Sequence, residues 1–239
     1  MRRMALVNLL PDLGGAFGYE LRTGPRARIG LGRGRGSATG SIGRAVAWLL
    51  IEGGEGEVLI DGTTTEVGGR EDVFERAGWS AVVPPKTRIA IRGSLRYTMV
   101  WRAWDKAVEL RVIAPDEVIG ERRGSGPDER VVRTYVDRGP LIVGETLNEP
   151  GRWSSWPPHR HEQEEAYLFR FEPPHGFGVQ VLSTAAGGDR ATVVRDGHVE
   201  RIRKGFHPVV AAPAATMYYL WALAGESGTL TPEIDPAYT

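Results

Sequence analysis

Two histidines separated by one residue close the run Trp156-Pro157-Pro158-His159-Arg160-His161, three carboxylates follow at Glu162, Glu164 and Glu165, and a further histidine stands in Gly205-Phe206-His207. On an extended strand, residues i and i+2 project to the same face with Cα atoms about 6.6 Å apart. His159 and His161 can therefore grip one ion together. A carboxylate four residues beyond the second imidazole and another histidine after further strands would make a set of three nitrogens and one oxygen. Such a set leaves coordination positions open to water or substrate, which is the pattern of a catalytic rather than a closed structural site. Glu165 stands at that interval, and Glu162 and Glu164 compete with it for the carboxylate position. If Glu165 faces inward on its strand, Tyr167, Phe169 and Phe171 share that face and give the site an aromatic wall. His175, in Pro173-Pro174-His175-Gly176, and His198, behind Asp196-Gly197, read as solvated turn residues. Tyr218 and Tyr219 are neighbours in an apolar run, so at most one of them lines the same cavity. Trp153 and Trp156 suit packing and sugar stacking equally.

The order His159-Arg160-His161, Glu165, Gly205-Phe206-His207 resembles the two metal motifs of the cupin superfamily. The surrounding text narrows the resemblance: Arg152 to His161, Glu164-Glu165-Ala166-Tyr167-Leu168-Phe169-Arg170-Phe171, Lys204 to Val209, and Tyr218 to Gly225 together look like the 5-deoxy-glucuronate isomerases of myo-inositol catabolism, grouped with the pectin-pathway uronate ketol-isomerases. The similarity also reaches Gly68-Gly69-Arg70-Glu71-Asp72-Val73-Phe74-Glu75 and Arg123-Gly124-Ser125-Gly126, and so covers most of the chain. It implies a divalent ion, zinc first with manganese or iron as alternatives, held by His159, His161, Glu165 and His207. It further implies aldose–ketose isomerisation of 5-deoxy-D-glucuronate to 2-deoxy-5-keto-D-gluconate. For the proton shuttle, Glu162, Glu164, Tyr167 and Tyr219 remain open as catalytic candidates. For the substrate carboxylate, Arg152, Arg170 and Arg123 stand in family-like motifs, and an arginine is its natural bidentate partner. Two departures lie beside the pocket: Arg203-Lys204 precedes Gly205 where many cupins carry a proline, and only three residues separate His161 from Glu165.

The elements that must position these residues are short and β-rich. Val46 to Ile51, Glu57 to Ile60, Ser80 to Pro85, Arg88 to Ile91 and Tyr97 to Trp101 alternate with Gly, Asp and Pro punctuation, and Asp61-Gly62 is a hairpin signal. The rhythm returns at Leu141 to Glu145, Ala166 to Phe171, Gly178 to Leu182, Ala191 to Val194, Val199 to Ile202 and Met217 to Leu223. Helical periodicity is nowhere sustained. The expected fold is all-β, two tandem cupin barrels (double-stranded β-helix or jelly-roll) in one chain. Residues 1–120 would form an N-terminal barrel without metal ligands, and 121–239 a linker and the metal-binding barrel, the linker running from about Pro115 to Arg138. The repeat is read by laying Val58 to Gly62 and Val82 to Pro84 on Val193 to Gly197 and Phe206 to Pro208. All five histidines lie after residue 150. The stretch Gly30-Leu31-Gly32-Arg33-Gly34-Arg35-Gly36 has no helix after it to make a phosphate cradle and reads as a mobile basic loop.

Composition bounds the rest. A chain of 239 residues buries a sizeable core, and 30 basic against 30 acidic residues create no bulk field for nucleic acid or an anionic membrane. With no cysteine, disulfide and thiolate chemistry are excluded, which fits a cytoplasmic protein. The start, Met1 to Asp12, lacks the long apolar region of a signal peptide, and no stretch approaches the roughly 20 apolar residues of a membrane span. The expected partner is a small sugar acid, with no nucleic acid and no membrane, in a possible homo-oligomer. The rival functions are a ketol-isomerase acting on another uronate, an iron-dependent cupin dioxygenase using the same donor set, and a sugar-binding cupin without turnover.

Overall fold

The computed structural model describes residues 17–20, 29–184, 188–224 and 228–239. The reading of Met1 to Asp12 lies outside them. The chain forms two compact units, Met1–Val118 and Ile119–Thr239. Both are built almost wholly of antiparallel strands, and the helical content of the described residues is three short 3₁₀ turns.

The first unit carries β1 (Phe17–Glu20), β2 (Gly30–Arg35), β3 (Ala38–Ser41), β4 (Ala45–Gly53), β5 (Gly56–Ile60), β6 (Thr63–Val67), β7 (Ser80–Val83), β8 (Arg88–Gly93), β9 (Arg96–Ala103) and β10 (Arg111–Ile113). They form one sheet of order β1-β2-β9-β4-β7-β10 and another of order β3-β8-β5-β6. Alternate residues of both sheets meet in one core, among them Ala45, Ala47, Leu49 and Ile51 from β4, Val58 and Ile60 from β5, and Tyr97, Met99 and Trp101 from β9. The turn between β5 and β6 is the expected Asp61-Gly62, with φ of 45° and 89°, the positive pair that a two-residue hairpin needs for its twist to match the strands. The motif Gly68 to Glu75 has a structural use here. Arg70, buried, donates from Nε and Nη2 to the Ile51 carbonyl (3.1 and 2.8 Å) and from Nη1 to the Arg76 carbonyl (2.7 Å). It ties the loop after β6 to the end of β4.

The second unit carries β11 (Gly120–Arg123), β12 (Arg130–Val136), β13 (Ile142–Asn148), β14 (Trp153–Ser154), β15 (His159–Arg160), β16 (Glu164–Glu172), β17 (Phe177–Thr184), β18 (Gly188–Arg195), β19 (Val199–Ile202), β20 (Val209–Ala211), β21 (Thr216–Ala224) and β22 (Glu233–Ile234). Its sheets are β11-β12-β13-β21-β16-β19, β14-β20-β17-β18 and the pair β15-β22. Its core joins Tyr167, Phe169 and Phe171 of β16 to Met217 and Tyr219 of β21 and to Val209 and Ala211 of β20. The inward aromatic series expected from strand parity is therefore present.

The two units repeat one topology strand by strand: β1-β2-β9-β4-β7 corresponds to β12-β13-β21-β16-β19, and β3-β8-β5-β6 to β14-β20-β17-β18. A glycine–tryptophan pair fixes the register. Gly30 opposes Trp101 across β2 and β9, and Gly144 opposes Trp221 across β13 and β21. At each glycine a Cβ would run into the facing indole. One strand further, Ala47 opposes Trp101 and Tyr167 opposes Trp221. Ala45 and Ala47 thus hold, in the first unit, the places that Glu165 and Tyr167 hold in the second.

Three expectations need correction. The glycine-rich stretch from Gly30 is not a loop but strand β2, because Trp101 and Tyr97 occupy the space where side chains at Gly30 and Gly34 would go. The repeat exists, but Asp61-Gly62 joins β5 to β6 whereas Asp196-Gly197 joins β18 to β19, so the sequence alignment of the two was one hairpin out. The stretch from Pro115 to Arg138 is mostly not linker: β11 and β12 belong to the large sheet of the second unit.

Candidate metal centre

The site lies in the second unit, where three segments bring four candidate residues together. Glu165 comes from the long strand β16, paired on one side with β21 and on the other with β19. His207 precedes β20 and is completely buried; its carbonyl accepts from the buried Gln180 Nε2 at 2.7 Å. His159 and His161 come from β15 and the residue after it. The ring centroids of His159 and His207 are 4.9 Å apart, those of His161 and His207 5.1 Å, and those of His159 and His161 6.3 Å.

Each of the three imidazoles has its Nδ1 committed to a main-chain carbonyl two residues away: His159 to Pro157 (3.2 Å), His161 to Gln163 (3.0 Å) and His207 to Gly205 (2.9 Å). A carbonyl only accepts, so each Nδ1 donates and each neutral ring carries its lone pair on Nε2. Backbone carbonyls that fix the tautomer in this way are the usual outer support of metal-binding histidines. Nε2 of His161 and Nε2 of His207 each lie 3.2 Å from the same Glu165 Oε2. The buried His207 Nε2 makes no aligned hydrogen bond. Two nitrogen lone pairs aimed at a carboxylate in a dry site repel unless a positive charge joins them. A proton or a metal ion meets that need, so the donor set fits a cation. His161, Glu165 and His207 bring one ligand atom each to within 4.8 Å of one another, a group able to hold one. His159 stands beside it, its pKa lowered to about 4 by burial and then by the neighbouring His207, and so it is a neutral donor at physiological pH.

The electrostatics agree. Burial alone would raise the Glu165 carboxyl, but the His161 and His207 imidazoles against it override burial and bring the pKa to about 2. Burial likewise opposes charge on His161, and the Glu165 carboxylate outweighs it and raises that pKa. Beside His207 are two phenols whose rings are 4.6 Å apart, that of Tyr167 being 6.2 Å from the His207 ring. Tyr219 shares a hydrogen bond of 2.5 Å with Ser154, and Tyr167 one of 3.0 Å with Ser155. Both pKa values are raised, chiefly by burial, and for Tyr167 also by Glu165. Ser155 adopts φ 53°, a conformation uncommon outside glycine, while remaining buried.

The other sequence candidates separate by strand parity. Glu164 lies on the face of β16 opposite Glu165 and is held by Arg201 through Nε and Nη2 (2.8 and 2.6 Å), away from the candidate donors. Arg170 shares that outer face and pairs with Asp196 at 2.9 Å. Arg123 is exposed and paired with Glu121 at 2.7 Å, and Arg152 is paired with Glu149 at 3.3 Å. Of the tyrosine neighbours, Tyr219 faces inward and Tyr218 outward, donating to Glu145 at 2.9 Å. Trp153 and Trp156 pack on each other, and Trp156 on Tyr238. Glu162 is exposed and, with Arg160, His161, Lys204, Phe206 and Thr229, lines a cavity of about 770 Å³ that backs onto His161. Sequence reasoning assigned no role to Ser154 or Ser155, although both sit in the quoted Arg152 to His161 run. It also passed over Arg130, whose Nη2 donates to the Trp156 carbonyl at 3.2 Å and whose charge reaches Tyr219. No motif marks Arg130; only the fold of β12 against β13 brings it there.

The model of the KduI/IolB family matches residues 27–239. A 5-deoxy-glucuronate isomerase of Geobacillus thermodenitrificans is 34% identical over 187 residues, which is 71% of this chain and 68% of that protein. One from Bacillus subtilis (strain 168) is 29% identical over 196 residues, 74% of this chain and 72% of that one. Among solved structures, an IolB-like protein of Salmonella typhimurium superposes with a TM-score of 0.87 at 24% identity, covering 93% of this chain and 94% of the other. The oxalate decarboxylase of Bacillus subtilis, a protein with Mn(II) centres, gives 0.60 at 11% identity over 87% of this chain and 71% of that one, which speaks to a shared fold alone. By the match of its sequence across nearly its whole length, the chain belongs to the KduI/IolB family.

Proposed function

We propose that this chain is a metal-dependent aldose–ketose isomerase that converts 5-deoxy-D-glucuronate to 2-deoxy-5-keto-D-gluconate, with His159, His161, Glu165 and His207 as the ligands. The observation that carries the reading is the convergence of Nε2 lone pairs on Glu165, each imidazole fixed through Nδ1. The curated relatives of that name support the reaction and substrate. The donor set has nitrogen and carboxylate but no thiolate, which admits zinc, manganese and iron alike; zinc is kept as the first choice on the family resemblance. Such an ion supplies Lewis-acid stabilisation of a carbonyl and its neighbouring hydroxyl, an effect of several kcal/mol.

The chain's own residues do the rest. The reaction moves a proton from C2 to C1, and Tyr167 and Tyr219, kept protonated by burial and oriented by Ser155 and Ser154, present hydroxyls that donate to the developing enediolate oxygens. Glu162 is the carboxylate candidate for the C2 proton, since Glu164 is locked to Arg201. Arg130 replaces Arg152, Arg170 and Arg123 as our choice for the substrate carboxylate, because its Nη2 reaches the Trp156 carbonyl in the segment that leads to His159, although its Nη1 is also paired with Asp128 at 3.1 Å. The first unit, with Ala45 and Ala47 at the corresponding places, serves structure or subunit contact in a homo-oligomer. No helix of the described residues is long and apolar enough to cross a membrane, and we place the enzyme in the cytoplasm.

The test is turnover of 5-deoxy-glucuronate by purified protein of known metal content, followed anaerobically. Ketose formation without oxygen, lost on chelation and restored by one ion per chain, is expected. Oxygen consumption with iron and no isomerisation would replace the reading with a dioxygenase.

A further inference from the structure

We infer that residues 232–239 act as a positioning strap for the His159–His161 ligand pair. The inference rests on the metal reading above and concerns how two of the four ligands are held. Glu165 is fixed by a nine-residue strand paired on both sides, and His207 is buried against Gln180 beside β20. The other two ligands lack that support. Among the described residues β15 pairs with no strand of the two larger sheets; its ladder partner is β22, with His159 opposite Ile234 and Arg160 opposite Glu233.

The segment is fastened at both ends of this short ladder. Asp235 N donates to the Pro158 carbonyl at 2.8 Å, just before His159. Arg160, between the two histidines, takes Glu233 in a two-armed pair at 3.0 and 2.6 Å and lies over the Phe206 ring at 5.1 Å. Beyond the ladder, Asp235 Oδ1 accepts from Ala237 N, and the turn it makes sets Tyr238 edge-on against Trp156 at 5.1 Å. The Arg160–Glu233 pair is exposed on both sides, so it is poorly placed to stabilise the fold. It is well placed to set register, because a slip of one residue in β15 would turn both imidazoles to the opposite face.

The experiment compares the parent chain, a chain ending at Thr231, the variant Tyr238→Ala, and the charge exchange Arg160→Glu, Glu233→Arg and both together. Zinc affinity is read by chelator competition and the thermal midpoint on the metal-free form. Removing the strap should weaken zinc by about 10- to 100-fold, the range seen when the outer support of a ligand is lost, with the metal-free midpoint nearly unchanged. Tyr238→Ala should weaken it in the same direction. Each single charge reversal should weaken zinc and the double exchange should recover most of the loss. Undiminished affinity in the chain ending at Thr231 would overturn the strap, as would parallel loss of affinity and metal-free stability, or a double exchange no better than either single. If the shortened chain does not fold, the charge exchange decides. A parent chain that binds no zinc, manganese or iron would instead defeat the metal reading itself.

Discussion

The Glu165→Gln variant separates the electrostatics of this site from its metal chemistry. In the metal-free protein the buried carboxyl falls from 4.5 to about 2, so its neighbours favour the ionised form by about 3 kcal/mol. A depressed carboxyl pKa gives stability that is present above the unfolded value and is lost as pH falls through the folded one. The contribution is therefore complete above about pH 4.5 and disappears toward pH 2. At the upper end it fades for a second reason: the raised pKa of His161 depends on the same carboxylate, and the attraction ends when that ring loses its proton. Urea unfolding of chelator-treated protein near about pH 5.5 should thus show Glu165→Gln less stable by up to about 3 kcal/mol, narrowing on both sides of that window. With metal added at neutral pH, the neutral amide should weaken affinity by about 100-fold or more, beyond the roughly 10- to 100-fold expected for a supporting residue. Equal stability of the two proteins across the whole range would refute the coupling. Full metal retention in Glu165→Gln, with loss in Glu162→Gln, would move the ligand to Glu162.

Tyr219→Phe removes the hydroxyl that shares a hydrogen with Ser154; metal content should stay at the parent level while turnover falls by about 10² to 10⁴, the usual worth of a proton-transfer group, and unchanged turnover would clear Tyr219 of a chemical role. His159→Ala combined with His161→Ala should abolish stoichiometric metal, and one tightly held ion in that double variant would show that the ligands lie elsewhere. Gly144→Ala places a methyl group against the Trp221 indole and the Arg133 carbonyl and should cost about 1–3 kcal/mol in unfolding free energy as over-packing does; a neutral result would mean that both the indole and the main chain of β12 give way. Arg70→Met strips the donors from two carbonyls and should cost about 1–3 kcal/mol, visible as a lowered urea midpoint with metal affinity preserved.

The grouping of the candidate site's side chains was legible because three of its four residues are local in sequence. His159 and His161 lie two apart, Glu165 four further on, and the parity that puts Glu165 inward also puts Tyr167, Phe169 and Phe171 there. The strands were legible for the same reason: apolar runs such as Val199 to Ile202 coincide with β19, since alternation and turn residues act over a few positions. Parity could also have been carried one step further, because it assigns Glu164 and Arg170 to the far face of β16 as soon as Glu165 is placed inward.

Residue types and short-range pattern were enough for the candidate donor set, the all-β class and the exclusion of thiol chemistry. Tertiary structure alone decided what depends on partners distant in the chain. A glycine-rich stretch became strand β2 because Trp101 and Tyr97 fill the space beside it. The true repeat register appeared only with the glycine–tryptophan pairs, since the two units share topology but few residues. Ser154 and Ser155 met their tyrosines 65 and 12 residues away. Arg160 met Glu233 across 73 residues, and with that contact the short strand bearing His159 gained its partner. Side-chain chemistry is written residue by residue, whereas the closure of long loops that brings such pairs together is a property of the packed sheets.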